Sequence, residues 1–315
     1  MNKICVIGGA NIDICGTSKA PLREYDSNPG FIEMRYGGVG RNICQTLLRM
    51  GQNVEFVTCF ASDAFGQQLK LDCENLGLDC TKSKIVSGIP SSIYLAVMDN
   101  DGDMHVAIND MRILDELQEE DIDKALQDLD ENDLLVLDAN LNEDMLYYVA
   151  THAKCLKAAD PVSASKSQRL LKSLPYLDIF KPNKFESKEF TGIEIVDEES
   201  ASKSLDWFLD KGVKEILISM ADKGVLLGTK EGKYWFTHRT IHLDNATGGG
   251  DSFLGAYLSQ RLQKKSPYDS TQFAISAAVT TIESSNEERR KLDFNAIEVA
   301  IKNMEIKEKK IWTSE

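Results

Sequence analysis

Gly248-Gly249-Gly250-Asp251 stands between Leu243-Asp244-Asn245-Ala246-Thr247 and the apolar helical run Phe253, Leu254, Ala256, Tyr257, Leu258. Three glycines entering a helix leave backbone N–H groups bare and aim them, together with the positive end of the helix dipole, at one point. Such a point suits an anion. A carboxylate placed directly after it repels that anion, unless the carboxylate is there to take a proton from a nucleophile attacking a phosphoryl group. The pattern therefore predicts phosphoryl transfer, with Asp251 as base and Gly248, Gly249 and Gly250 as the anion hole. The plainer reading is a Gly-rich turn with Asp251 as a helix cap.

A second cluster, Gly37-Gly38-Val39-Gly40-Arg41-Asn42, also precedes a helical pattern (Ile43, Leu47, Leu48). It is not G-x-G-x-x-G, and no G-x-x-x-x-G-K-[ST] occurs in the chain, so dinucleotide binding and Walker-type nucleotide hydrolysis both lose weight. Asn11 and Asp13, just after the first apolar run, and Asn42 are small polar groups able to grip a polyhydroxylated ligand. Taken singly, Asn11 and Asp13 are also ordinary turn residues.

The elements that must position these groups alternate. Strand-like runs at Ile4–Ile7, Val54–Phe60, Leu134–Leu137, Ile179–Phe180 and Ile216–Ser219 are interleaved with helical patterns at Arg41–Met50, Gly66–Leu76, Asp121–Leu129, Glu143–Lys157 and Ser200–Lys211, and the chain is mostly helical after Ser252. This rhythm predicts an α/β fold with a mainly parallel sheet covered on both faces, formed as one domain over residues 1–315. Segments 12–36 and 90–110 break the rhythm with short alternating runs and a turn at Asp99-Asn100-Asp101-Gly102. They predict a small antiparallel sheet inserted in the main body. It would cover a site at the carboxyl ends of the parallel strands and exclude water from it. A plain hairpin or a dimer contact is the alternative use of the same sheet.

Composition narrows the partners. With 315 residues, 42% hydrophobic content and a net charge of −14, the chain can bury a large core but repels nucleic-acid polymers and anionic membranes. An anionic cofactor would need a local positive pocket. The amino terminus runs from Ile4–Ile7 straight into glycines and lacks the long apolar stretch of a secretion signal. Seven dispersed cysteines, with no C-x-x-C pair, read as reduced core thiols of a cytoplasmic protein.

With both glycine motifs placed, the chain resembles the ribokinase-like (PfkB) carbohydrate and nucleoside kinases. The likeness runs through Gly8-Gly9-Ala10-Asn11-Ile12-Asp13, Gly37 to Asn42, Asp63-Ala64-Phe65-Gly66, Gly77-Leu78-Asp79, Lys181-Pro182-Asn183-Lys184-Phe185-Glu186 and Thr247 to Asp251, in the family's order. It implies a three-layer α/β/α sandwich with a small β-sheet lid, and a kinase using ATP and Mg²⁺. Asp251 matches the family's base and Gly248 to Gly250 its anion hole. Asn183 and Glu186 match the N-x-x-E element that organises Mg²⁺ and its waters. Ser219 and Gly224 match a nucleotide loop in which Ala221 replaces a glycine, and Thr247 falls in the nucleotide site. Asn245 stands where the family has an acid that often helps bind a monovalent cation, which leaves K⁺ dependence open.

Within the family the likeness is greatest to the pseudouridine kinases, carried by Lys19-Ala20-Pro21, Asp26 to Gly30, Gly37 to Asn42, Val106 to Met111, Asp138-Ala139-Asn140-Leu141 and Asp160-Pro161-Val162-Ser163. It implies phosphorylation of a nucleoside 5′-hydroxyl. Asn11, Asp13, Gly38, Gly40, Asn42 and Asn140 would line the acceptor site, and Asn109 or Asp110 would pair with the base. The same Asn109-Asp110 pair also reads as a capped turn. A homodimer through the lid sheet is the expected assembly.

Overall fold

A computed structural model of the chain describes residues 2–240, 248–285 and 292–311. Thr247 and Asn245 lie outside them. The strands are β1 (Ile4–Ile7), β2 (Asn11–Ser18), β3 (Gly30–Gly37), β4 (Val54–Val57), β5 (Cys59–Ala61), β6 (Lys84–Val86), β7 (Ile93–Met98), β8 (Met104–Asp110), β9 (Leu134–Asp138), β10 (Leu156–Asp160), β11 (Ile179–Phe180), β12 (Glu215–Ser219), β13 (Val225–Thr229), β14 (Gly232–Thr237) and β15 (Lys307–Lys310). The helices are α1 (Val39–Arg49), α2 (Ala64–Asn75), α3 (Glu119–Leu126), α4 (Glu143–His152), α5 (Ala164–Ser167), α6 (Lys184–Thr191), α7 (Glu198–Asp210), α8 (Gly249–Leu262) and α9 (Pro267–Glu283), followed by Phe294–Ile301.

Nine strands form the main sheet in the order β15-β14-β13-β12-β11-β10-β9-β1-β4. From β4 to β12 every neighbouring pair is parallel, and β13 to β15 extend the edge antiparallel. Because side chains alternate across a strand, β1 divides its four residues between two cores. Ile4 and Val6 join the core under α1, α8 and α9, whereas Cys5 and Ile7 join the core under α3, α4 and α7. The sandwich is α/β/α, as the sequence predicts. All seven cysteines are free thiols.

Two expectations are corrected. The helix read as Glu143–Lys157 ends at His152, and Leu156–Asp160 is strand β10 instead. Its Leu-Lys-Ala-Ala-Asp sequence has no β-branched residue, but Ala158 and Ala159 are fully buried between β9 and β11, and tertiary pairing overrides local propensity. The run Val54–Phe60 is two strands, β4 in the main sheet and β5 paired with β6.

A separate four-stranded sheet has the order β3-β2-β7-β8. It is not purely antiparallel, because β2 and β7 run parallel. Residues directly opposite share a face, so Asp13, Arg35, Tyr94 and Asn109 lie on one side of this sheet while Ile14, Met34, Leu95 and Ile108 lie on the other. One face is thus polar and carries Asp13. The other continues apolar through Ile32, Val97 and Val106, and Ile32 and Ile108 are 79% and 66% exposed.

Candidate active site

The parallel strands end on one edge, and the chemistry-bearing residues follow those ends. Asp138 closes β9 in full burial. Its Oδ2 accepts the backbone N–H groups of Gly9 and Gly40, each at 2.8 Å, and Oδ1 accepts that of Asn140 at 2.9 Å. Burial raises its pKa, against the pull of those N–H groups. One carboxylate thus ties both amino-terminal glycine loops together. A Cβ on Gly8 would fall 2.5 Å from Asp138 Oδ2, so this junction closes only around glycine.

Gly38 starts α1 with φ 102°, and a side chain there would meet the carbonyl of Gly9 at 2.4 Å. That tight approach brings α1 down beside the end of β1 and places Asn42 in its first turn. Asn42 Nδ2 donates to Asp251 Oδ2 at 2.8 Å. Arg41, next in sequence, is turned away: it is buried, pairs with Asp72 on α2 and donates to the carbonyl of Tyr36 at the root of β3. Its role is to fasten the small sheet and α2 to α1.

Gly248 adopts the left-handed conformation at φ 83° and opens α8, with Asp251 in the first turn. Asp251 caps no backbone group of its own helix among the described contacts, and the N-cap Gly248 offers no side-chain cap. The carboxylate instead faces Asn42. Burial, then the neighbouring Asp160, pushes its pKa up to about 7, against the stabilising Asn42 and Lys181. Lys181, at the end of β11, is buried and bonds Asp160 Oδ2 at 3.0 Å, with its Nζ 3.0 Å from where a Cβ on Gly250 would stand. Burial disfavours its charge, but Asp160, Glu186 and Asp251 outweigh burial and hold the ammonium charged. It sets a positive charge beside Gly250 and Asp251.

Asn11 Nδ2 donates to Asp13 Oδ1 on the polar face of the small sheet. Burial raises the pKa of Asp13, opposed by Asn11. Gly37 leaves room for this carboxylate, since a Cβ there would lie 2.2 Å from Asp13 Oδ2. Asn140, 6% exposed, lies against Gly9. Asn109 is exposed on β8 opposite Tyr94, whereas Asp110 is engaged by Arg112 through Nε at 2.9 Å and Nη2 at 2.6 Å. Of that pair, Asn109 alone presents a side chain with no ion-pair partner among the described contacts.

A cleft of about 480 Å³ adjoins the other side of Gly249 and Gly250. Lys181, Asn183, Ser219 and Gly224 border it, and Phe253, Ile275, Val279 and Ile282 form an apolar wall. Asn183 caps α6 by accepting the N–H groups of Phe185 and Glu186, and Glu186 Oε2 accepts the N–H of Asn183 at 2.7 Å, a reciprocal capping box. Glu186 is nonetheless buried, and burial together with Asp160 raises its pKa to about 7. Ala221 takes φ 54°, and a side chain on Gly224 would strike the carbonyl of Phe236 at 1.9 Å. The turn after β12 thus has positive φ at both Ala221 and Gly224. No trio of His, Cys, Asp or Glu side chains among the described residues is arranged to hold a metal by itself.

Asp138, Asp160 and Lys181 were not singled out by residue type. Asp138 and Asp160 are the last residues of β9 and β10, and Lys181 directly follows β11. Two motifs in the resemblance are architectural. Asp63 caps α2 through the N–H of Gly66 at 2.8 Å, and Gly77 makes a left-handed turn at φ 94°.

Residues 1–290 match the model of the pfkB family carbohydrate kinase. Pseudouridine kinase of Escherichia coli (strain K12) is 33% identical over 258 residues, 81% of this chain and 82% of that protein. Guanosine-inosine kinase of Exiguobacterium acetylicum is 28% identical over 300 residues, 90% and 95% of the two chains. The crystal structure of ribokinase from Thermotoga maritima superposes with a TM-score of 0.83 at 26% identity, covering 96% of this chain and 100% of that one.

Proposed function

The chain belongs to the pfkB family of carbohydrate kinases and is a phosphotransferase acting on an alcohol group of a sugar or nucleoside; on that footing we propose that it phosphorylates the 5′-hydroxyl of pseudouridine with ATP. The observation that carries the catalytic part is the contact of Asn42 with Asp251, which joins the two glycine motifs at one carboxylate. The substrate rests on the 33% identity to pseudouridine kinase.

In this reading Asn11, Asp13 and Asn42 hold the ribose, while Gly38 and Gly40 let the backbone approach it. Asn109 on the polar face of the small sheet meets the base. The 5′-hydroxyl gives its proton to Asp251 as its oxygen bonds to the γ-phosphorus, and the bond to the β-phosphate oxygen breaks to release ADP. The N–H groups of Gly248 to Gly250 and the Lys181 ammonium face the charge that develops on the transferring group. Buried, pre-oriented donors act there without reorganising.

The cleft bordered by Asn183, Ser219 and Gly224 fits ATP, with its apolar wall suited to a purine. Asn183 and Glu186 would hold Mg²⁺ through waters, and the ion would supply charge neutralisation for the phosphate oxygens. The apolar face of the small sheet suits a second copy of the chain, and the polar face closes over the nucleoside. A cytoplasmic location completes the proposal; no helix among the described residues is long and apolar enough to cross a membrane.

ADP release with Mg·ATP and pseudouridine, uridine, ribose or fructose 6-phosphate tests the assignment. Pseudouridine is expected to give the highest kcat/KM. A higher value for uridine or ribose removes pseudouridine as the substrate and leaves the kinase chemistry standing.

A further inference from the structure

Beyond the groups already given roles, one side chain reaches the acceptor side of the site from a strained segment. After β10 the chain runs Asp160-Pro161-Val162-Ser163, and Ser163 N–H donates back to the carbonyl of Pro161 across Val162, which holds φ 65°. A β-branched residue in that region is a true outlier, and strain of this kind persists only where the surroundings over-determine it. Here the amide of Val162 is fixed by Asp160 Oδ1 at 2.8 Å. The turn launches α5 toward the end of β9. From α5, Lys166 Nζ donates to Asn140 Oδ1 at 2.7 Å, and just beyond it Arg169 Nη1 contacts the carbonyls of Ala139, Asn140 and Leu141 at 3.2 to 3.3 Å.

An ammonium only donates hydrogen bonds, so Asn140 must present its oxygen to Lys166 and its NH₂ to the opposite side, where one of the two N–H donors is taken by the Asp138 carboxylate and the other remains for a ligand. On that side the Asn140 amide nitrogen lies 2.5 Å from where a Cβ on Gly9 would stand, and the Met111 methyl lies 2.8 Å from the same point. Met111 directly follows lid strand β8, and Gly9 leads into Asn11 and Asp13. The amide donor and an apolar methyl therefore converge beside Gly9, next to the segment that leads into β2.

We propose that Lys166 is a positioning residue for acceptor specificity: it locks the Asn140 amide so that its NH₂ donates to a carbonyl oxygen of the nucleoside base, beside Met111. This rests on the nucleoside-kinase reading of the site. Lys166 itself touches no substrate. Burial lowers its pKa, Asp138 opposes that, and Arg169 adds to it.

The test is steady-state kinetics of the full chain with Mg·ATP, first ranking nucleosides and ribose on wild type, then comparing Lys166→Met, Lys166→Arg and Asn140→Asp. With the best nucleoside, Lys166→Met is expected to raise KM about tenfold, the size of one lost hydrogen bond with its freed rotamer. Its kcat and the KM for ATP should stay within about twofold, and ribose should be affected less than the nucleoside. Lys166→Arg, which still donates to Oδ1, should recover most of the loss. Asn140→Asp keeps the Lys166 contact but removes the amide donor, so it should match Lys166→Met while melting like wild type.

An unchanged nucleoside KM in Lys166→Met overturns the inference. So does an equal loss with ribose, or a loss confined to kcat. If pseudouridine is not the preferred nucleoside, the substrate assignment fails while the Lys166 inference is still judged on the nucleoside that is. If no nucleoside is accepted, both fail.

Discussion

Asn42 and Asp251, 209 residues apart in sequence, meet at 2.8 Å with the amide donating to the carboxylate. The donor comes from a helix that Gly38 and Asp138 press against β1, and the acceptor comes from the first turn of α8. Asn42 stabilises the ionised form of Asp251. Replacing Asn42 by Ala therefore moves the acid limb of the kcat/KM profile to higher pH and lowers kcat/KM by about tenfold or more near neutrality, as one charge-assisted hydrogen bond requires. A pH–rate profile of Asn42→Ala against wild type checks it; coincident limbs contradict it.

The raised pKa of Asp251 also sets a stability trend. Its folded value, about 7, lies above the ordinary carboxylate value of 3.8, so between those limits the folded state binds the extra proton. The contribution of this group to stability is present below the lower value and is lost as pH rises toward 7. Asp251→Asn, which is neutral throughout, should melt higher than wild type at pH 8, with the gap closing toward pH 4. Melting curves across that range decide it, and a variant less stable at pH 8 contradicts the burial argument.

Gly38 and Gly51 both hold positive φ, 102° and 77°, but only Gly38 has neighbours where a Cβ would go. Alanine at Gly51 meets the left-handed penalty alone, about 1–2 kcal/mol. Alanine at Gly38 adds contact with the backbone of Gly9 and Ala10 at 2.4 and 2.7 Å. Its loss should therefore exceed that of Gly51→Ala by about 2 kcal/mol or more, with activity falling as α1 is pushed off β1. Denaturant midpoints of the two variants make the comparison. Equal losses would show that the junction yields freely.

The exposed face of Ile32, Met34, Leu95, Val106 and Ile108 is larger than an isolated surface apolar residue would explain. Charging it twice, with Ile32→Glu and Ile108→Glu together, should convert a dimer to a monomer in sedimentation at micromolar concentration. A wild-type protein that is already monomeric there rejects the proposed pairing.

How far this site was legible in the sequence follows from its physics. The Gly248 to Asp251 and Gly37 to Asn42 segments were readable because glycine is demanded where backbone must come close, and such demands survive as short motifs. Ala221 was marked as a departure by the resemblance, and it holds a left-handed φ of 54°. Asp160, Lys181 and Lys166 were not legible, since a buried charge and a surface charge look alike until the sheet brings partners within 3 Å. β10 was missed for a related reason: Leu156 to Asp160 has the local preferences of a helix, and only its neighbours β9 and β11 make it a strand. Asn109 and Asp110 were read as alternative base contacts from the likeness of the lid segment, and the bond of Arg112 to Asp110 could be seen only once the strand end was placed.

The claim on which the rest depends is that Asp251 takes the acceptor proton. Its direct test is turnover of Asp251→Asn alongside calorimetric binding of ATP and nucleoside. The variant keeps the size of the side chain and a hydrogen-bonding group, so both affinities should stay near wild type while kcat falls by at least ~10²-fold, because the lost interaction belongs to the transition state. Near-normal turnover with both ligands bound would contradict the account and return the Gly248 to Asp251 loop to a glycine-rich turn at the start of a helix.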